Sequence, residues 1–128
     1  MEREAIVLPP GAGRAYQLGP MRGVFKAGGA ETGDRYTVSA WSVEPGEPGS
    51  GPHRHEVEDE VFLITEGTMT FLVGDRWVDA PAGTFLCVPA GMTHDFVNHG
   101  AQRAAAFNVL VPGGDFEARF RSWLPGSS

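Results

Sequence analysis

GPHRHEVEDEVFLITEG (residues 51–67) places two histidines one residue apart, followed by a run of acids, a strand-like apolar segment and a glycine. His53 and His55 are two of only 4 histidines in the 128-residue chain. On an extended backbone alternate side chains share a face, so both imidazoles project to one side, about 6.5–7 Å apart along the chain. The pair can converge on one metal ion, although two histidines in a polar loop are commonly just solvated.

Two further residues have the chemistry of metal ligands. Glu60 follows His55 by five positions at the start of the segment EVFLIT, and His94 lies after a proline–glycine turn. Three neutral imidazoles and one carboxylate suit iron, manganese, nickel, copper or zinc rather than calcium or magnesium. Four protein ligands in an octahedral shell would leave two positions open for water, dioxygen or a chelating substrate.

The remainder of the chain is divided into short apolar segments by its 18 glycines and 10 prolines. Turn residues recur every 8 to 12 positions or so, which predicts an all-β sandwich or barrel. Glu66–Gly67 is typical of a tight hairpin between two strands, because Gly67 can adopt positive φ. The predicted strands are 14–18, 23–27, 35–43, 60–65, 68–73, 76–80, 84–89, 93–99 and 103–111.

The last segment of the chain has a different periodicity. DFEARFRSWL (115–124) places Phe116, Phe120 and Trp123 at helical spacing, with Asp115 available as an N-terminal cap. We expect a short amphipathic helix there, packed on the outside of the barrel.

Composition narrows the class of protein. The formal net charge is -6, and no stripe of lysine or arginine indicates nucleic-acid binding. The one cysteine, Cys87, lies in the apolar run TFLCVP, which predicts a small buried side chain and excludes an intrachain disulfide. No apolar run has the length of a signal peptide core or a membrane helix. We therefore expect one cytoplasmic domain over residues 1–128, without membrane or nucleic-acid partners.

Two motifs in the chain resemble the paired motifs of the cupin superfamily. The first, H-x-H-x4-E-x6-G, runs from His53 to Gly67, and the second, G-x5-P-x-G-x2-H-x3-N, runs from Gly83 to Asn98. The second is complete. The first, counted as about 46–67, departs at its leading glycine, because Glu47 occupies that position.

The resemblance implies an all-β fold, a single cupin barrel (double-stranded β-helix or jelly roll) with the short C-terminal helix at 115–124. Family spacing also allows Asp59 as the acidic ligand, but six residues must separate that ligand from Gly67, which favours Glu60. The resemblance thus implies one divalent transition metal ion (Fe, Mn, Ni, Cu or Zn) held by His53, His55, Glu60 and His94.

An apolar pocket is predicted around the ion. Strand alternation places Phe62 and Ile64 on the face of Glu60, while Phe96 shares the face of His94. Met69 and Phe71 line one face of the next strand. These side chains would suit a flat aromatic or hydrophobic substrate.

Three functions are compatible with these residues. Similarity to quercetin dioxygenase relatives implies a metal-dependent dioxygenase for a small aromatic or enol-containing substrate, in which Glu60 is the candidate catalytic base. A non-redox isomerase, lyase or polyketide-cyclase-like enzyme is the second, and a non-catalytic small-molecule-binding cupin is the third. Small cupins often pair or exchange edge strands, so we also expect a homodimer that uses the segments AIVL (5–8) and RAYQL (14–18).

Overall fold

The computed structural model describes residues 3–46, 48–49 and 51–125, so Glu47 of the first motif lies outside the described residues. Within them the chain forms nine strands and two short helices. The elements are β1 Arg14–Leu18, β2 Met21–Ala27, α1 Gly29–Thr32, β3 Thr37–Val43, β4 Asp59–Glu66, β5 Thr68–Val73, β6 Arg76–Pro81, β7 Phe85–Val88, β8 His94–Val97, β9 Ala104–Val111 and α2 Phe116–Arg121.

The strands form two antiparallel sheets in a jelly-roll-like arrangement. The large sheet has the order β1-β2-β3-β9-β4-β7 and the small sheet the order β6-β5-β8. The prediction of an all-β fold with a short C-terminal helix is confirmed. Side chains on the inner faces alternate with outward ones along each strand, so the core lies between the two sheets.

The turn at Glu66–Gly67 is a correction to the sequence prediction. It joins β4 of the large sheet to β5 of the small sheet, and these two strands do not pair. Gly67 has φ 67°, and a Cβ there would lie 2.5 Å from the carbonyl oxygen of Arg103. A tight turn is therefore needed, but the local sequence does not distinguish a hairpin from a crossing between sheets. The turn Gly74–Asp75 does form a hairpin, between β5 and β6.

Helix α2 closes one end of the barrel instead of lying on its outside. It is shorter than predicted, and Phe116 and Phe120 are buried in a cluster with inward-facing residues of β2, β3 and β9. Asp115 is the N-cap residue that precedes the helix, but its side chain makes no capping hydrogen bond and instead contacts Arg119 at 2.9 Å. The aromatic cluster beneath the helix consists of Phe25, Trp41, Leu110, Phe116 and Phe120.

Cys87 is exposed, contrary to the prediction of a buried side chain. It lies on β7, an edge strand, where alternation turns Leu86 and Val88 inward and Cys87 outward. An apolar sequence context therefore did not identify its face. No helix among the described residues is long and apolar enough to cross a membrane.

A polar cluster ties α2 to the first strand. Arg14 donates two hydrogen bonds to Glu117, at 2.7 and 2.9 Å, and the hydroxyl of Tyr16 donates a third at 2.8 Å. Burial raises the pKa of Glu117, but these bonds outweigh it and hold the pKa below its ordinary value of 4.5. The ionised carboxylate is therefore a link between the helix and the barrel.

We predict that Glu117→Gln destabilises the protein on the order of 1 kcal/mol at pH 7, since Arg14 is half exposed and the pair is partly screened. A lowered folded pKa stabilises the fold above the unfolded value and loses that contribution as the pH falls through the folded value. The difference in unfolding free energy between parent and variant, measured by urea unfolding, should therefore shrink as the pH falls below 4.5. Glu66→Gln, which removes an exposed ion pair with Arg103, is the control and should change stability less. A difference in unfolding free energy that widens at low pH would contradict a stabilising role for the ionised Glu117 carboxylate.

Candidate metal centre

Three histidines come together because the loop before β4 pairs with the start of β8. His53 and His94 exchange two backbone hydrogen bonds, of 2.9 and 2.7 Å, in an isolated antiparallel bridge. This bridge places their ring centroids 4.4 Å apart. His55, two residues along, has its ring centroid 5.6 Å from that of His53 and 5.4 Å from that of His94. One nitrogen from each ring lies within 4.8 Å of those from the other two.

The hydrogen-bond partners of the rings indicate which nitrogen faces the centre. In His53 and His94 Nδ1 lies within hydrogen-bond distance of a backbone carbonyl oxygen, which favours the proton on Nδ1 and a lone pair on Nε2. Outer acceptors of this kind orient histidine ligands in metal sites. The acceptors are the Gly51 carbonyl oxygen for His53 at 2.9 Å, the Met92 carbonyl oxygen for His94 at 3.3 Å, and, as a longer ionic contact, Glu58 Oε1 for His55 at 3.6 Å.

Glu60, on β4, lies beside two of the three clustered histidines. Its Oε1 lies 2.8 Å from Nε2 of His94 and 3.3 Å from Nε2 of His55. Despite the 2.8 Å separation, neither Oε1 of Glu60 nor Nε2 of His94 has a hydrogen-bond partner of acceptable geometry, and both atoms are buried. Buried polar atoms without partners are rare and costly. Two such atoms facing one point, in a set of three imidazoles and one carboxylate, fit a transition-metal ion.

The charges of the cluster favour a cation. Burial raises the pKa of Glu60, but contacts with His55 and His94 outweigh it and lower that pKa to about 2. Burial lowers the pKa of His94, and the carboxylate of Glu60 raises it above the ordinary value overall. For His53 burial dominates and lowers the pKa. At neutral pH the cluster therefore contains an ionised carboxylate among imidazoles.

A buried hydrogen-bonded chain holds Glu60 in place. The indole of Trp41 donates to Ser39 Oγ at 2.7 Å, the hydroxyl of Ser39 donates to Asn108 Oδ1 at 3.5 Å, and the amide of Asn108 donates to Glu60 Oε2 at 2.8 Å. The chain occupies Oε2 and leaves Oε1 directed at the histidines. In the sequence Asn108 stands out only as a polar residue within the otherwise apolar segment 104–111, which does not show which way its side chain faces.

The other polar residues near the motif have different surroundings. Asp59, the competing ligand, is exposed and accepts a hydrogen bond from the Ala90 amide at 2.8 Å. Glu58 is buried and lies between His55 and Arg119. His99 is exposed beyond the end of β8.

A cavity of about 90 Å³ adjoins the cluster. Its polar lining consists of His53, His55 and Glu60, and all its other lining residues are apolar or aromatic. They come from β1, β2, β3, β4, β8 and the C-terminal segment. The apolar lining is Leu18, Met21, Trp41, Phe62, Phe96, Phe116, Phe120 and Trp123.

The pocket differs from the predicted one in depth. Phe62 and Phe96 line the cavity, whereas Ile64, Met69 and Phe71 lie in the closed core, with exposed fractions of 1%, 1% and 0%. Alternation identifies the inward face of a strand but not how far from the open end a residue lies. The aromatic residues of the C-terminal segment were recognised as a helical stripe, but only the tertiary structure places them over the metal ligands.

A family model described as a cupin domain matches residues 39–111. The chain belongs to the cupin family. Comparison of this cupin with curated proteins finds no match.

Many solved structures share the fold. The polyketide cyclase RemF from Streptomyces resistomycificus is 25% identical, with TM-score 0.64, over 88% of this chain and 80% of that one. An RmlC-like cupin from Shewanella frigidimarina is 13% identical, with TM-score 0.72, over 88% and 95%. A predicted oxalate decarboxylase from Thermotoga maritima is 20% identical, with TM-score 0.67, over 71% and 79%. The latter two similarities show the fold alone.

We predict that the protein, purified without chelator or nickel affinity resin, contains close to one transition-metal ion per chain. His94→Ala should lose most of it, because the histidine supplies a buried ligand atom. His99→Ala, which changes an exposed histidine outside the cluster, is the matched control and should retain it. Plasma mass spectrometry measures the content. Absence of metal from the parent after incubation with Mn²⁺, Fe²⁺, Ni²⁺, Cu²⁺ or Zn²⁺ would contradict the site.

Asn108→Ala should weaken Zn²⁺ binding by about 10- to 100-fold, because it frees the oxygen that orients Glu60. Asn98→Ala is the matched control: Asn98 is equally buried, but its amide bonds the carbonyl oxygens of Val43 and Gln102. That variant should lose about 1–3 kcal/mol of stability and keep its Zn²⁺ affinity. Competition titration gives the affinities and urea unfolding the stabilities. Equal affinity losses in the two variants would mean that Asn108 acts only on stability.

Proposed function

We propose that this cupin is a metal-dependent dioxygenase that acts on a small aromatic or enol-containing substrate. One observation supports this most strongly: two of the three clustered histidines, His53 and His55, line a cavity together with Glu60, and the remaining lining of that cavity is apolar and aromatic. Such a lining binds a flat apolar ligand and contributes no acid, base or nucleophile beyond the cluster itself. When bound, a redox-active metal would supply Lewis acidity toward a substrate oxygen and reactivity toward dioxygen.

The residues of the chain have separate roles in this proposal. His53, His55 and His94 would hold the ion, and backbone carbonyl oxygens outside the centre orient the rings of His53 and His94 through Nδ1. Glu60 is ionised, with Oε2 held by Asn108, so Oε1 is the atom that can accept a proton from an enol or phenol. Phe62 and Phe96 exclude water from the reacting atoms.

The size of the cavity limits the substrate. About 90 Å³ is well below the roughly 300–1,000 Å³ of typical small-molecule sites. Trp123 lies at the rim, is 57% exposed and packs edge-on against Phe120 at 5.8 Å. A single ring is therefore the preferred substrate size, and a multi-ring substrate requires Trp123 to turn outward.

A non-redox activity is the second candidate. RemF, named as a polyketide cyclase, is 25% identical to this chain over 88% of its length. An aromatic-lined cavity suits a folded polyketide-like chain as well as an aromatic ring, and a bound metal would then polarise a carbonyl without using dioxygen.

Oxygen uptake distinguishes the two candidates. Protein reconstituted in turn with Fe²⁺, Mn²⁺, Ni²⁺ or Cu²⁺ is mixed with a catechol or a flavonol in an oxygen-electrode cell. We expect oxygen consumption matched to substrate loss, reduced on the order of 100-fold in His94→Ala and unchanged in His99→Ala. Turnover of a β-diketone without oxygen, and with Zn²⁺ also active, would favour the cyclase-like function. A ligand-dependent rise in melting temperature without turnover would replace both with a binding function.

A further inference from the structure

A second cavity, the outer groove, lies against the same histidines as the cavity of about 90 Å³, the inner cavity. The outer groove has a volume of about 350 Å³ and is lined by the loop 51–55, Arg119 and Trp123. His53, His55 and Trp123 line both cavities, so these three side chains form the wall between them. The outer groove therefore continues the candidate site toward solvent.

The two cavities differ in charge. Apart from the histidines, the one ionisable side chain that lines the inner cavity is Glu60 among the described residues. The outer groove is lined by two arginines, Arg54 and Arg119, and no acidic side chain of the described residues lines it. A concave surface of one sign attracts ligands of the opposite sign, and the planar guanidinium matches a carboxylate in particular. The outer groove thus suits an anionic group.

The two arginines differ in how far they are already occupied. Arg54 donates to Glu56 Oε1 at 2.7 Å, in an ion pair whose side chains are both exposed. The buried Nε of Arg119 has no hydrogen-bond partner of acceptable geometry among the described residues, although Asp115 Oδ1 lies 2.9 Å away. Its Nη2 lies 3.7 Å from Glu58 Oε1, beyond hydrogen-bond distance. A guanidinium carries five N–H donors, so Arg119 retains donors for a ligand.

The head of Arg119 is held close to the metal ligands. Its Cζ lies 5.7 Å from the ring centroid of Phe116, a cation–π contact, and the Phe116 ring lies 5.9 Å from that of His55. Glu58 Oε1 lies 3.6 Å from His55 Nδ1 and 3.7 Å from Arg119 Nη2. The two nitrogens can be no farther apart than those two distances combined, which one substituted aromatic ring can bridge.

We propose that Arg119 binds a carboxylate of the substrate, so that the substrate class is a hydroxylated aromatic carboxylic acid. The ring occupies the inner cavity against Phe62 and Phe96, its hydroxyl oxygen faces the metal ligands, and the carboxylate extends past Trp123 into the outer groove. This assignment rests on the proposed function for the direction of the ring and adds the charge of the substrate.

The volumes of the cavities agree with a ligand that uses both. The inner cavity alone is smaller than the roughly 300–1,000 Å³ of typical small-molecule sites, whereas the two cavities together fall within that range. Trp123, between them, follows the C-terminal cap residue of α2 and is 57% exposed. Because more than half of its surface is already in water, turning it outward uncovers little apolar area.

The acidic neighbours of Arg119 limit the gain in affinity. Asp115 has a side chain that is 75% exposed, so its ion pair with Arg119 is screened by water and salt and a ligand carboxylate can replace it. Glu58 is buried and remains beside the guanidinium whether or not a ligand is bound. A charge-assisted pair of this kind, partly exposed, should strengthen binding about tenfold.

Isothermal titration calorimetry of the Zn²⁺-loaded full chain tests the assignment. The probes are 3,4-dihydroxybenzoate and its methyl ester, which is close in size but lacks the charge. We expect the acid to bind about tenfold more tightly than the ester, by a ratio that falls at high salt. Arg119→Gln should remove the preference by weakening the acid alone, and Arg119→Lys should keep part of it. Arg103→Gln, which changes an exposed arginine paired with Glu66, is the matched control and should keep the full preference.

Equal affinities of the parent for acid and ester would overturn the assignment, as would a preference that survives in Arg119→Gln or binding of neither probe. Circular dichroism and metal content confirm that each variant is folded and loaded. Oxygen uptake separates this assignment from the proposed function. An Arg119-dependent preference without oxygen uptake under any redox metal would keep the carboxylate site and reject the dioxygenase. Oxygen uptake that is equal for acid and ester, with equal affinities, would keep the dioxygenase and reject the carboxylate site.

Discussion

A buried carboxylate is costly unless charge or hydrogen bonds compensate it, and Glu60 lies against side chains of three separate elements. Asn108 of β9 bonds one oxygen, while His55 of the loop before β4 and His94 of β8 face the other. These contacts hold the carboxylate ionised against its own burial. They also join the large sheet to the small sheet at the open end of the barrel. The junction lies beside the loop that carries His53 and His55 and at the cavity that Glu60 helps to line.

The bridge between His53 and His94 has a comparable structural effect. Two short backbone hydrogen bonds align a loop rich in proline and glycine with β8, although that loop contains no named strand. The histidines are thereby presented from backbone that is paired on one side. Ligand atoms held in this way need little rearrangement to bind an ion, which limits the entropy lost on binding. The same bridge leaves Gly51 positioned to accept from the Nδ1 of His53.

The two faces of the large sheet carry different kinds of side chain. Its inner face carries the polar chain from Trp41 to Glu60 and the aromatic cluster under α2. Its outer face is apolar and lies away from the metal ligands. Because neighbouring residues on a strand point in opposite directions, a substitution at Leu63 or Phe107 can alter the outer surface while leaving Phe62 and Asn108 in place.

The sequence by itself determined the spacing of the two motifs, the all-β class, the existence of a C-terminal helical stripe and the set of four candidate ligands. These are local properties: strand alternation, turn residues and the distance between His53 and His55 depend on few neighbours. The tertiary structure decided the rest. In the folded chain Gly67 lies in a crossing between the two sheets, and Cys87 faces outward. Phe116 and Phe120 line the cavity, and the amide of Asn108 bonds Glu60. Each of these outcomes depends on which strands become neighbours, and that is settled by long-range packing, which no short segment encodes.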